Sequence, residues 1–471
     1  MKRRIFLQSG SAAVATALVG CGGGGGGSSS DAAVAAGTSA DTATGTTVTT
    51  ASAAPTGPAN LASPANPASP TTATTSSSAP AQQQATSTVP GIAYPFGSRL
   101  TPYVAGILPN NASNAQMDAK IKSFYDAWKP NIVSVPTIPG GKALRFSSSY
   151  ITVSEGMGYG MLITVIMAGY DANARATFDA LLTTVRARPA YGIPSGSGGP
   201  YLMDWRLDAS GNSAGDGWNA MDGDLDIAMA LLMADKQWGS TGTWNYKQEA
   251  LNTIGALKAW NMKADGTTKG LPSANNNRTS DYMVSHFRAF KRATGDSVWD
   301  LAVDRAYWLL DNIQTTYSPN CGLMPDFIIN TNTSTPAPSQ GYIGDGTSTE
   351  GYYFANAERN PWRLGTDFVL TGDTRFKTIC QRLTTFMQKD CGGSPGSLSI
   401  GYHLDGSSMG HSWAPTAIAG PLQCGAMVDA SFQPFLNSLW TWTSSNFVTS
   451  YYDSELMLIP MIVASGNWWT T

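Results

Sequence analysis

Apolar residues between positions 93 and 471 recur at helical spacing more often than they alternate. In residues 114–128, Met117, Ile121, Phe124, Tyr125 and Trp128 fall on one face. In residues 226–238, Ile227, Ala230, Leu231, Ala234 and Trp238 do the same, and residues 298–313 and 374–387 repeat the theme. Between such stretches a turn signal returns: Gly169-Tyr170-Asp171, Thr294-Gly295-Asp296, Thr371-Gly372-Asp373 and Ser465-Gly466-Asn467. Glycine suits the left-handed residue that ends one helix, and Asp, Ser or Thr caps the next. Helical hairpins recurring in this way, with long loops at their other ends, predict an all-α chain closed into a toroid.

The pattern stops short of the N-terminus. Residues 22–92 are Gly, Ser, Ala, Thr and Pro with few large apolar side chains, a composition that cannot bury enough surface to offset its ordering entropy. They read as a spacer, stiffer where prolines cluster. Residues 1–21 read as an export segment. Arg3-Arg4 precedes Ile5-Phe6-Leu7 as in twin-arginine signals, and a short apolar run ends in Leu18-Val19-Gly20-Cys21, which resembles a lipoprotein cleavage box with Cys21 lipidated. The expected organisation is signal 1–21, linker 22–92 and a single large domain 93–471. That domain would lie outside the cytoplasm, with a lipid at Cys21 as its one link to a membrane, and a monomer is expected.

Charge narrows the partners. The net charge is −3 and only 13% of residues are charged, with no Lys/Arg run in the domain after the linker, which argues against nucleic acid. Aromatic side chains are plentiful, and a neutral, aromatic-rich exported domain suits an uncharged polymer. Cys321, Cys380, Cys391 and Cys424 match no zinc spacing, so disulfides are open and no metal is expected.

Three acidic clusters carry candidate chemistry. Ser154-Glu155-Gly156-Met157-Gly158-Tyr159-Gly160 sets one carboxyl in a glycine-rich turn before an apolar segment. Ala220-Met221-Asp222-Gly223-Asp224-Leu225-Asp226 opens a helix; it fails the calcium-loop pattern, with Ile227 and Met233 at the Gly and Glu positions. A Gly/Ser/Thr loop from Tyr342 to Arg363 holds Asp345, Glu350, Asn356 and Arg359. Tyr201, Trp205, Trp218, Tyr282, Trp413, Tyr451 and Tyr452 stand in loop-like contexts, and aromatic faces can stack on sugar rings.

The segments TVSEGMGYGM (from Thr152), MDWRLD (from Met203), AMDGDLDIAMALLMADKQWG (from Ala220), SDYM (from Ser280), NAERNPWRLGTDFVLTGD (from Asn356) and YYDSELMLIPMIVASGN (from Tyr451) together resemble glycoside hydrolase family 8, in family order. The resemblance implies an (α/α)6 barrel of six helical hairpins and inverting endo-hydrolysis of a β-1,4-linked polysaccharide, without metal or organic cofactor. It makes Glu155 the proton donor and Asp222 the aspartate at the cleavage point. Trp205 would stack in the groove and Arg359 would lie beside the reaction centre. From their loop contexts, Tyr201, Tyr282, Tyr451 and Tyr452 are expected, with Asn356, as further substrate contacts. One branch of the family has an aspartate base where this chain has Asn356. A second branch with asparagine takes its base from a glutamate just upstream, which implies Glu350, with Asp345 as runner-up. Glucan is the expected substrate and chitosan the rival, for which Glu358, Asp281, Asp204 and Asp208 could supply extra carboxylates. A non-catalytic glycan-binding lipoprotein would be a different class, but it should lack the acids that are present here.

Overall fold

The computed structural model describes residues 89–270 and 274–471. The export segment, Cys21 and most of the 22–92 linker lie outside the described residues.

Twelve helices among the described residues alternate between two concentric rings. The outer ring is α1 (Asn114–Trp128), α3 (Ala174–Ala187), α5 (Tyr246–Asn261), α7 (Val298–Tyr317), α9 (Thr374–Asp390) and α11 (Gln433–Ser445). The inner ring is α2 (Ser154–Ile166), α4 (Met221–Trp238), α6 (Val284–Thr294), α8 (Asn360–Thr371), α10 (Thr416–Ala426) and α12 (Asp453–Ala464). Each inner helix packs on its inner neighbours, α12 closes back onto α2, and each outer helix packs on one inner helix, with α1 on α12. This is the (α/α)6 barrel.

Burial explains the two rings. Inner helices such as α2 and α12 are enclosed on all sides and so carry apolar or small residues nearly all round. In α2 every residue except Glu155 is buried, and in α12 every residue except Asp453. Outer helices bury one stripe, as α1 does with the five residues named from its periodicity.

The turns from inner to outer helices are short. Gly295 (φ 73°) and Gly372 (φ 74°) are the left-handed caps that end α6 and α8, and Asp373 accepts from Arg375 N to start α9. Connections from outer to inner helices are long, with residues 188–220 and 318–359 the most extended; the short 446–452 link before α12 is the exception. They gather at the end where all six inner helices begin. Three small sheets stiffen them: β1 (Ile132–Ser134) with β2 (Lys142–Leu144), β3 (Thr152–Val153) with β4 (Arg206–Leu207), and β5 (Asn277–Arg278) with β6 (Phe327–Ile329) and β7 (Ala337–Pro338), all antiparallel.

One expectation is corrected here. The glycines after Ser154 do not form a turn; they lie inside α2. A Cβ on Gly158 would come 2.6 Å from Asp226 Cβ, and one on Gly223 of α4 would come 2.4 Å from the Ser154 carbonyl carbon. These glycines let α2 and α4 cross nearly backbone to backbone.

The ends of the ring meet at a seam. Trp128 Nε1 of α1 donates to Glu455 Oε1 of α12 at 2.6 Å, a contact between residues 327 positions apart. Below it, Arg99 pairs with Asp118 at 2.6 Å and donates to the Ser465 carbonyl, while Tyr94 stacks on Trp469. The four cysteines of the domain are buried and unpaired.

Candidate active site

Six parallel inner helices point their N-termini at the long-loop face. The exposed N–H groups and helix dipoles there favour carboxylates. Glu155 and Asp222 lie in the first turns of α2 and α4, and the close crossing of those helices brings them together.

Arg359 joins them. Its guanidinium is fully buried, and Nη1 donates to Glu155 Oε2 at 2.6 Å and to Asp222 Oδ2 at 2.8 Å. Tyr451 Oη donates to Glu155 Oε1 at 2.6 Å. Glu155 keeps 16% side-chain exposure while Asp222 keeps 1%, so Glu155 is the acid a substrate can reach. Arg278 Nη1 supplies Asp222 with a second cation at 2.7 Å.

The two acids are driven apart in protonation. Burial pushes the Glu155 carboxyl up; Arg359 opposes this, the Asp222 charge adds to it, and the net position is about 7. Burial also pushes Asp222 up, but Arg278 and Arg359 outweigh it and hold that carboxyl well below the usual range. Near neutral pH one acid can carry a proton while its neighbour stays ionised.

The third cluster is arranged differently from the sequence expectation. Glu350 is buried and turned into its own loop. Its Oε1 accepts from the Gly344 and Gly346 amides at 2.9 and 2.8 Å, and its Oε2 from the Ile343 amide at 2.8 Å and Ser339 Oγ at 3.1 Å. A carboxylate so saturated is the centre around which the loop folds. Asp345, inside that loop, lies in the acid network instead: its Oδ2 accepts from Asn356 Nδ2 at 2.6 Å. Asn356 Oδ1 in turn accepts from Arg359 Nη2 at 2.7 Å, which completes a chain from Asp345 through Asn356 and Arg359 to Glu155. Burial raises Asp345 to about 6, against the pull of Arg278.

Asp326 fixes Asn356 from below. It accepts from the backbone N–H groups of Phe354, Asn356 and Ala357 at 3.1, 3.0 and 2.8 Å, and from Asn356 Nδ2 at 3.3 Å. Asn356 therefore has its amide committed to Arg359, Asp345 and Asp326. It is a connector, and the substrate contact expected of it is corrected.

The expected aromatics divide. Trp205 is next to the acids in the backbone: its carbonyl accepts from Ser154 N at 2.9 Å beside the β3–β4 pair, and its half-buried ring carries the Arg206 guanidinium at 4.3 Å. Tyr451 holds Glu155. Tyr452 Oη donates to the Ala355 carbonyl beside Asn356, and its backbone takes a strained φ of 75°. Tyr282 is 1% exposed and packs in the core, so its expected sugar contact is corrected. Tyr201 is exposed, with its carbonyl held by Arg186 of α3, and no contact brings it to the acids.

Of the additional acids, Asp281 lies 3.8 Å from Arg278 and is pushed by burial to about 7. Glu358 is buried, Asp204 accepts from the Arg206 and Gly217 amides, and Asp208 organises its own turn. Asp226, in the same run as Asp222, is a buried partner of Arg363 and His286. Arg278 and Asp326 were not singled out from sequence. Several acids around one cleft demand a buried cation beyond Arg359, and Arg278, just before Ser280-Asp281-Tyr282-Met283, was the available one.

A double helical ring whose long-loop face holds a partly exposed carboxyl pushed up toward neutral pH beside an ionised one is the arrangement expected of a carboxyl-based hydrolase of the helical-toroid type. The sequence matches the family described as Glycosyl hydrolases family 8 over residues 115–462. A beta-glucanase from Niallia circulans is 36% identical over 384 residues, spanning 80% of this chain and 91% of its own. An endoglucanase from Bacillus sp. (strain KSM-330) is 36% identical over 381 residues, spanning 78% of this chain and 80% of its own. Among solved structures, the apo beta-1,3-1,4-glucanase from Paenibacillus sp. X4 matches with a TM-score of 0.75 at 35% identity, covering 80% of this chain and 99% of that one. The chain belongs to glycoside hydrolase family 8.

Proposed function

We propose that this glycoside hydrolase cleaves internal β-1,4 linkages of an uncharged β-glucan with inversion, using Glu155 as general acid and Asp345 as general base. The observation that carries the reading is the shared guanidinium of Arg359, with Glu155 poised near neutral pH on one side and Asp222 ionised on the other. Glu155 donates its proton to the glycosidic oxygen as the bond to the anomeric carbon breaks. A water attacks that carbon from the opposite face, and Asp345 takes the water's proton. Asp222 stays charged and accepts hydrogen bonds from a sugar hydroxyl or the water. Glu350, first expected as the base, serves here to hold the loop that presents Asp345.

The relatives named beta-glucanase and endoglucanase support glucan as substrate. Turnover on carboxymethylcellulose, lichenan and chitosan, with proton NMR of the first-formed anomer, tests this reading. Expected are glucan cleavage and an α-anomeric product; a β-anomeric first product or exclusive chitosan cleavage overturns it. Export and anchoring at Cys21 belong to the same proposal, supported by the Arg3-Arg4 and Leu18–Cys21 pattern. Labelled lipid should enter the wild-type protein but not a Cys21→Ala variant.

A further inference from the structure

Helix α11 is chemically unlike the rest of the outer ring. Each other outer helix carries both acidic and basic side chains, as helices facing water usually do. Between Gln433 and Ser445, α11 has none of either sign. Its core face is ordinary, with Phe435, Leu436, Leu439, Trp440 and Thr443 buried. The other face carries Asn437, Ser438, Thr441, Trp442 and Ser445, and there a tryptophan breaks a neutral polar surface.

That face is one wall of a groove of about 580 Å³. The other walls are the 392–395 turn and Asn111 from the segment before α1, and no charged residue lines it. The groove is shallow and open to solvent along its length, a shape suited to an extended chain lying on the surface. The polar walls are held in place: Asn111 Nδ2 donates to Thr441 Oγ1 at 2.9 Å, and Asn437 Nδ2 donates to Asn110 Oδ1 at 2.7 Å. The tryptophan is fixed as well. Gly396 lies so close that a Cβ there would sit 2.9 Å from the indole Nε1. Trp442 is partly exposed, with its N–H edge turned against Gly396. Glycines 392 and 393 leave open space beside it.

We infer that this groove is a second glycan-binding site, on the outer wall of the barrel and separate from the cleft, which takes a neutral β-glucan chain by stacking a sugar ring on Trp442. A partly exposed indole, bounded by amides and hydroxyls and free of charge, matches the two kinds of surface on a pyranose: apolar C–H groups and equatorial hydroxyls. The charge-free walls disfavour polyanions and polycations alike. The site shares no residue with the acid network, so it holds polymer without cleaving it. The choice of glucan as ligand rests on the substrate reading above.

The test uses the full chain in affinity electrophoresis through gels containing soluble mixed-linkage β-glucan, with Glu155→Gln as the background that prevents hydrolysis. Adding Trp442→Ala should weaken retardation about two- to tenfold, the range expected for one aromatic platform. Ser445→Glu, which adds bulk and charge at an exposed position without removing core packing, should do the same. With Glu155 intact, both variants should cleave short soluble oligosaccharides at the parent rate but lose activity on insoluble glucan. Retardation equal to the parent's in both variants overturns the inference, as does an equal loss on short and insoluble substrates. The catalytic reading is judged separately, by whether the parent cleaves short glucan oligosaccharides at all.

Discussion

The cleft is built from two halves of different construction. Glu155 and Asp222 stand on the first turns of packed inner helices, where backbone geometry and a glycine crossing leave them little freedom. Asp345 stands on a loop that has no regular structure of its own and takes its shape from four hydrogen bonds to one buried carboxylate, Glu350. The helical half places charge by packing; the loop half places it by wrapping backbone amides around an anion. A change in the first half therefore alters chemistry directly, while a change in the second acts first on order and only then on chemistry.

The largest effect that would break this contrast is at Glu155. Glu155→Gln should keep the melting temperature and lose about 10²–10⁴-fold or more in kcat; near-normal turnover would remove the helical half from the mechanism. Asp345→Asn should cost a comparable factor, again with the fold intact. Glu350→Gln is the sharper comparison. It should cost activity less than Asp345→Asn, yet raise hydrogen exchange at the Ile343, Gly344 and Gly346 amides, because unpaired buried N–H groups cost about 1–3 kcal/mol each. If Glu350→Gln abolishes turnover while those amides stay protected, the base is Glu350.

Gly223→Ala should act on the helical half as a wedge. Its methyl meets the Ser154 backbone, which cannot yield as a side-chain tip can, so stability should fall by about 1–3 kcal/mol in chemical denaturation. The smallest effect concerns pH. With Glu155 near 7 and Asp345 near 6, kcat/KM should fall above about 7 as the acid loses its proton and below about 6 as the base gains one. The Tyr451 hydrogen bond stabilises the Glu155 carboxylate and so lowers its pKa. Tyr451→Phe should thus move the alkaline limb to higher pH and leave the acid limb in place.

The same two halves divide what was legible in the sequence. Outer helices such as α1 and α9 show one buried stripe, so period and turn signals found them. Among inner helices the periodicity was less telling: α4 shows a stripe although nearly all of it is buried, α2 is buried all round without one, and the helical glycines of α2 looked like a turn because a close helix crossing and a bend both call for glycine. Glu155, Asp222 and Arg359 were singled out through the motifs that resemble the family, and the structure joins all three in one hydrogen-bonded cluster. Asp345 and Glu350 were not separable: they stand five positions apart in a Gly/Ser/Thr loop, where nothing periodic says which faces in. Tyr282 misled for a related reason, since an aromatic beneath a cleft and one lining it have the same neighbours in sequence.

The seam between α1 and α12 has a consequence for how the enzyme comes into being. Bringing together residues that far apart along the chain is entropically the most demanding closure in the ring. Tyr451, which holds Glu155, lies just before the helix that completes that closure. An unclosed arc of hairpins would lack this contact, so turnover and ring closure should appear together during refolding, with no active intermediate before the circle is whole.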